Sequence, residues 1–256
     1  MALKVEAAAR TDAGLVRSDN QDSFGTNAEL GLYVVCDGMG GAAGGQIASN
    51  IAVETFLAIA RQEIEAAQNR ANRNSPEITR LALRRAVAAA NRAVISRAEW
   101  DIGYRGMGST LVGARLTGDR LTLINVGDSR AYLVRDGHAV QLTEDHSFVA
   151  ERVRLGLMDA AEAATSPMQS VITRAIGVEA DVHPDLYEAT VQPGDTLLLT
   201  SDGLTRHLST LDLGGVLSST HNAEEACALL IELANQRGGF DNITCVVVRM
   251  GVSESG

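Results

Sequence analysis

Between residues 45 and 100 the chain spells two long amphipathic helices in succession, and from residue 109 it spells one strand after another. In the first helix, read over about 45–68, Ile47, Ile51, Val53, Phe56, Leu57, Ala60 and Ile64 recur at helical spacing and form an apolar face. A polar run over 69–74 interrupts it. Ser75-Pro76-Glu77 restarts a helix, with Ser as N-cap and Pro at the first helical position, and Leu83, Val87, Ala90 and Val94 carry its seam toward Trp100. Two helices in a row with no strand between them break the βαβ alternation that a doubly wound parallel sheet requires.

The strand-like runs LKVEAAA and GLYVVC precede this helical block, and STLVGARL, RLTLINV, SRAYLVR and HAVQLT follow it. Gly118-Asp119 and Asp136-Gly137 are turn signals between neighbouring runs. Residues 146–180 are mixed and read as short helices and loops. PDLYEATV and TLLLT, split by Pro193-Gly194-Asp195, resume the strands. Asn222 with Glu225 opens a helix through Gln236, and ITCVVVR ends the pattern. The expected class is α+β, antiparallel sheets covered by helices. With no repeat, low-complexity tract or Pro/Ser linker, residues 1–256 are expected to form one domain.

Composition narrows the function classes. Lys and Arg number 22 against 32 Asp and Glu, a formal charge of −10, which disfavours nucleic acid and anionic membranes as partners. Aromatics are 4%, too few for base-stacking platforms. The three cysteines, Cys36, Cys227 and Cys245, sit in apolar runs without Cys-x-x-Cys spacing and are expected to be buried reduced thiols. The start MALKVEAAARTDAG lacks the apolar stretch of a signal peptide, and no run is long enough to span a bilayer. A cytoplasmic location is expected.

Two apolar runs end alike: LYVVC meets Asp37-Gly38, and TLLLT-Ser201 meets Asp202-Gly203. A strand holds its terminal side chain rigidly, and the glycine is expected to let the backbone turn and expose its carbonyl. Asp22, Asp128 and Asp241 stand at other strand or loop edges. Each could be an ordinary turn or cap residue, but together they are an oxygen-ligand set with no competing histidine or cysteine cluster. Such a set suits Mg²⁺ or Mn²⁺, and the spacing of the five histidines gives no zinc motif.

The segments TDAGLVRSDNQD, VVCDGMGG, MGSTLV, NVGDSRAYL, EDHS, TRAIG, LLLTSDGL and GGFDNIT occur in one order along nearly the whole chain. In that order they resemble the metal-dependent type 2C serine/threonine protein phosphatases, in particular the compact bacterial members. The resemblance implies a four-layer α-β-β-α sandwich, with metals at one edge of the central β-sandwich. It implies two to three Mn²⁺ or Mg²⁺ ions. Asp37 would bridge two of them, Asp202 and Asp241 would complete the first site, and Asp22 with the Gly38 carbonyl would serve the second. Asp128 would help hold a third. Arg17 would grip the substrate phosphate, Asn242 would support Asp241, and 146–180 would be the flap beside the cleft. The implied reaction is hydrolysis of phosphoserine or phosphothreonine by a hydroxide shared between two cations about 3.5–4 Å apart, with no phosphoenzyme. The partners implied are phosphoproteins made by serine/threonine kinases, and the protein is expected to be a monomer.

The chain departs from the pattern in one loop. Ala42 stands where many bacterial relatives have a histidine, and Gln46 where a glutamate is usual. Ala42 offers no proton to a leaving group; a metal-bound water would take its place, with His146 a weaker candidate acid whose plainer reading is a structural hydrogen-bonding residue.

Rival readings fit less of the chain. Gly38-Met39-Gly40-Gly41-Ala42-Ala43 matches a dinucleotide fingerprint, but no second strand follows at the required distance. Gly127-Asp128-Ser129 lies between two strands rather than at a strand-to-helix elbow, against a serine esterase. Two further alternatives are a phosphatase fold kept as a regulatory binding module, which would have lost metal carboxylates, and a phosphatase acting on anti-anti-sigma-type regulators.

Overall fold

The computed structural model describes residues 3–41, 43–67 and 75–252. Along the chain run β1 (Leu3–Asp12), β2 (Asp22–Asn27), β3 (Leu32–Met39), α1 (Gly44–Ala67), α2 (Pro76–Trp100), β4 (Gly108–Ser109), β5 (Leu111–Thr117), β6 (Arg120–Val126), β7 (Arg130–Arg135) and β8 (His138–Gln141). Then come α3 (Phe148–Arg154), α4 (Ala160–Thr165), β9 (Asp185–Thr190), β10 (Thr196–Thr200), α5 (Asp202–Thr205), α6 (Thr210–Ser219), α7 (Ala223–Gln236) and β11 (Ile243–Val252). The strands form two sheets, ordered β1-β11-β10-β7-β8 and β2-β3-β5-β6-β9, with β4 paired to β3. Every pairing is antiparallel.

Strand alternation sorts the apolar side chains into layers. Leu32, Val34 and Cys36 of β3 face α1 and α2, where they pack with Phe56, Ile64, Leu83 and Val87. Tyr33 and Val35, one residue out of phase, face the other sheet and pack with Leu197, Leu199, Val246 and Val248. On that sheet's far side Leu198, Cys245 and Val247 meet Leu213, Leu217, Leu230 and Ile231 of α6 and α7. The order is therefore helices, sheet, sheet, helices, the expected four-layer sandwich. Each fully buried Leu, Val or Phe contributes roughly 1.5–3 kcal/mol by leaving water. All three cysteines are buried and free. Among the described residues no helix is long and apolar enough to cross a membrane.

Local signals explain most boundaries. The Ser75 side chain accepts from the Ile78 amide, and Pro76 opens α2. Asp136 and Gly137, at φ 50° and 78°, make the tight β7–β8 turn. The expected strand STLVGARL is broken at Thr110, which turns its polar groups toward β3. Three of these elements arise where no strand or helix was expected, β2, α5 and α6. The first expected helix is described to Ala67; Gln68 and the polar run 69–74 lie outside the described residues.

Candidate metal centre

Register alone brings the five aspartates to one edge of the sandwich. Thr200 pairs with both Arg130 and Cys245, so Asp128, Asp202 and Asp241 fall just past the same end of the first sheet. Asp22 pairs directly with Asp37 in the second. Ser201 ties the sheets together: its hydroxyl donates to Asp22 Oδ2 at 2.7 Å and accepts from the Thr244 amide at 3.0 Å.

The main chain of Asp37 is fixed by the loop after β4. Its amide donates to Thr110 Oγ1 at 2.9 Å, and its carbonyl accepts from the Thr110 amide at 2.8 Å and Ser109 Oγ at 3.0 Å. Thr110 Oγ1 is in turn 2.7 Å from Ser129 Oγ, fully buried one residue after Asp128. Ser129 is thus held inside the turn between β6 and β7 rather than displayed as a nucleophile.

The two Asp-Gly pairs work differently from expectation. Strand β3 does not stop before Asp37 but runs through it to Met39, and Asp202 begins the short α5. Neither Gly38 nor Gly203 has a positive φ. Each glycine instead admits a neighbouring backbone: a Cβ on Gly38 would lie 2.0 Å from the Gly45 carbonyl oxygen, and one on Gly203 2.0 Å from that of Asn242. The glycines let the segment bearing Asp37 pack against the start of α1, and the segment bearing Asp202 pack against the one bearing Asp241.

The carboxylates carry more negative charge than this chain neutralises. Burial, reinforced by the charges of Asp202 and Asp241, pushes Asp22 up to about 7 against the hydrogen bonds it accepts. Burial, with Asp22, Asp202, Asp128 and Asp241 around it, raises Asp37 well above the carboxylate range. Burial and the charges of Asp202 and Asp145 push Asp128 up to about 7 despite Arg130. Asp202 is raised by burial, with Arg206 opposing. Asp22 Oδ1 and Asp202 Oδ1 are buried without any hydrogen-bond partner. Orphaned anionic oxygens of this kind are costly unless a cation meets them. An oxygen-only donor set with unmet lone pairs fits a hard divalent ion.

Two arginines lean on the same edge. Arg17 grips Asp241 with Nε and Nη2, both at 3.0 Å, while its side chain stays 56% exposed. Arg206, one helical turn after Asp202, pairs with it, lies 3.6 Å from Asp241 and donates to Ser170 Oγ at 3.2 Å. In this arrangement no three acidic, His or Cys side chains among the described residues form a ready metal cage. Arg206 was not among the expected site residues; its i,i+4 spacing from Asp202 was the available signal.

Asn242 is 6% exposed and acts on the loop before β2. Its Oδ1 accepts from the Gln21 amide at 2.8 Å, and Nδ2 donates to the carbonyls of Ala13 at 2.9 Å and Asp19 at 2.8 Å. Its amide donates to Asp241 Oδ1 at 3.0 Å. It thereby fixes the segment bearing Arg17 and Asp22 as well as Asp241.

His146 has no exposed surface. Its Nδ1 accepts from the Gly127 amide at 3.1 Å, and Nε2 lies 3.0 Å from Asp185 Oδ2. Burial lowers its pKa. With both nitrogens engaged and no exposed surface, His146 fits the structural reading and not that of an acid facing the cleft. Ala42 lies outside the described residues, and Gln46 is exposed on the first turn of α1. A cavity of about 720 Å³ leads from Asp128, Asp202 and Arg206 under α3 and α4, over Val149, Val153 and Ala163.

A buried carboxylate edge of this kind, on a double antiparallel sandwich between helix layers, defines a metal-dependent phosphatase architecture. The protein phosphatase 2C family model matches residues 9–236, and the chain belongs to that family. It is 35% identical to the serine/threonine phosphatase stp of Listeria welshimeri over 96% of each chain. It superposes on the Mycobacterium tuberculosis serine/threonine phosphatase PstP/Ppp with a TM-score of 0.83 and 34% identity, over 97% of this chain and 99% of that one. A similar match, TM-score 0.80 and 35% identity over 98% and 100%, is to the catalytic domain of PstP in complex with two manganese ions.

Proposed function

We propose that this serine/threonine phosphatase hydrolyses phosphoserine and phosphothreonine in proteins at the five-aspartate edge, loaded with two to three Mn²⁺ or Mg²⁺ ions. Asp37 would be shared by two ions, Asp202 and Asp241 would serve the first, and Asp22 with the Gly38 carbonyl the second. Asp128 would take part in a third. Such ions supply Lewis acidity that brings a water's pKa toward neutrality and neutralises charge on the phosphate.

The chain's own residues bind and orient. A guanidinium has five N–H donors in a planar fork. Arg17 donates one of them, from Nη2, to Asp241 with Nε alongside at 3.0 Å, so the two Nη1 hydrogens and the second on Nη2 remain to take phosphate oxygens at the solvent side. Asn242 keeps Arg17 and Asp22 in register with Asp241. Residues 146–180 act as a flap whose helices roof the cavity beside Asp128 and Asp202. Substrates made by serine/threonine kinases, a cytoplasmic location, a monomer and one domain over 1–256 complete the reading.

The observation that carries it is the pair of buried, partnerless oxygens on Asp22 and Asp202 within a five-carboxylate cluster. The test is hydrolysis of a phosphothreonine peptide with Mn²⁺, after chelator stripping, and in Asp37→Asn. Activity that needs Mn²⁺ and collapses in the variant is expected; full activity after exhaustive stripping would refute the reading.

A further inference from the structure

Three large apolar side chains stand in water beside the carboxylate edge: Leu15 is 67% exposed, Val16 63% and Phe240 61%. Apolar residues scattered singly on a surface are ordinary, but a contiguous group marks a contact site. These three belong to two loops that touch. The Leu15 amide donates to the Gly239 carbonyl at 2.8 Å. Gly14, at φ +77°, lies so close to the second loop that a Cβ there would sit 2.3 Å from the Asp241 carbonyl oxygen. The Phe240 amide donates to His207 Nε2 at 3.3 Å, and the two rings meet tilted by 44°, 5.2 Å between centroids. The shelf is therefore fixed from behind while its apolar faces point outward.

We propose that Leu15, Val16 and Phe240 dock the polypeptide around the phosphorylated residue, favouring phosphoproteins with a bulky apolar side chain within about three residues of it. This rests on the phosphatase reading above. The occupant follows from continuity: Arg17 is the residue after Val16 and Asp241 the residue after Phe240, so the shelf starts where the phosphate is held. Extended chain advances about 3.3 Å per residue, so side chains two or three positions from the phosphoresidue reach roughly 7–10 Å along the surface. The chain's net charge of −10 works against acidic flanks, and what the shelf itself presents to a bound chain is apolar surface. A preformed shelf also avoids the ordering cost that weakens binding to mobile loops.

The test compares two phosphothreonine peptides of equal charge, one with leucines within three residues on each side and one with serines there. The reference substrate is 4-nitrophenyl phosphate, which carries no flanks. Wild-type protein with saturating Mn²⁺ is expected to prefer the leucine peptide about tenfold in kcat/KM, the effect of one partly buried aliphatic side chain. Phe240→Ser is expected to reduce that preference to within about twofold and leave turnover of the aryl phosphate unchanged, while Phe240→Leu keeps the preference. Equal use of both peptides by the wild type overturns the docking proposal and leaves the phosphatase reading standing. Parallel loss on all three substrates in Phe240→Ser, with Phe240→Leu no better, also overturns it. No turnover of any of the three by the wild type overturns both.

Discussion

Replacing Asn242 with alanine removes three side-chain hydrogen bonds at once, those to the Gln21 amide and to the Ala13 and Asp19 carbonyls. A neutral hydrogen bond contributes about 1 kcal/mol net, and an orphaned donor adds to the loss, so the variant is expected to be about 3 kcal/mol less stable. For a chain of this size 1 kcal/mol moves the melting temperature by roughly 2–4 °C, which predicts a fall of about 6–12 °C. The loop released carries Arg17 and Asp22, and a misplacement of about 1 Å at a reacting centre can cost up to ~100-fold. Thermal melts and kcat/KM on a phosphopeptide, both with Mn²⁺, read the two effects. Asn242→Asp separates hydrogen bonding from packing. It keeps the acceptor for Gln21, loses both donors, and sets a carboxylate against two carbonyls beside an edge already rich in negative charge. It is expected to be at least as damaging as alanine. Near-wild-type behaviour of Asn242→Asp, or a melting shift under about 2 °C in Asn242→Ala, would refute the assignment.

Three shorter tests address the charges. Arg17→Ala is expected to lower kcat/KM about ten- to hundredfold, the scale of one hydrogen bond to a charged group at 1.5–3 kcal/mol; a change within about twofold marks Arg17 as ordinary surface. Arg206→Gln removes the guanidinium competing for Asp202 and is expected to tighten Mn²⁺ binding about two- to fivefold by calorimetry, in keeping with a partly exposed pair of about 0.5–1 kcal/mol; unchanged or weaker binding contradicts this. In metal-free protein Asp22 ionises near 3.8 when unfolded but near 7 when folded. The fold therefore holds this proton more tightly, and the stability it brings, full below about pH 4, is lost as pH rises to about 7. Urea unfolding in chelator should show a shallower fall between about pH 4 and 7 in Asp22→Asn than in the wild type; equal slopes refute the shift.

Elements with their own local chemistry were legible without the structure. Ser75-Pro76 opens α2, Asn222 caps α7 with Glu225, and Asp136-Gly137 makes its hairpin turn. Strand β2 was not legible, because DSFGTN has one large apolar residue, Phe24; a full six-residue register with β3 makes it a strand. Helix α6 was hidden by Gly214 and Gly215. Gly214 is there because a Cβ would lie 2.1 Å from the Gly137 carbonyl oxygen, a contact between distant segments. The five aspartates could be picked out by their strand-edge positions, and register brings them together. What could not be read was how they are restrained: Ser201 on Asp22, Thr110 on Asp37, and Arg206 reaching both Asp202 and the flap's Ser170. Those contacts join residues 36 to 179 positions apart, apart from the i,i+4 pair, and no short motif encodes them.

Asp37 is the carboxylate we propose the ions would share. Counting Mn²⁺ retained per chain after desalting, in the wild type, Asp37→Asn and Asp128→Asn, tests that most directly. Two ions in the wild type, two in Asp128→Asn and none in Asp37→Asn are predicted; Asp37→Asn retaining as many ions as the wild type would contradict the shared-ligand assignment.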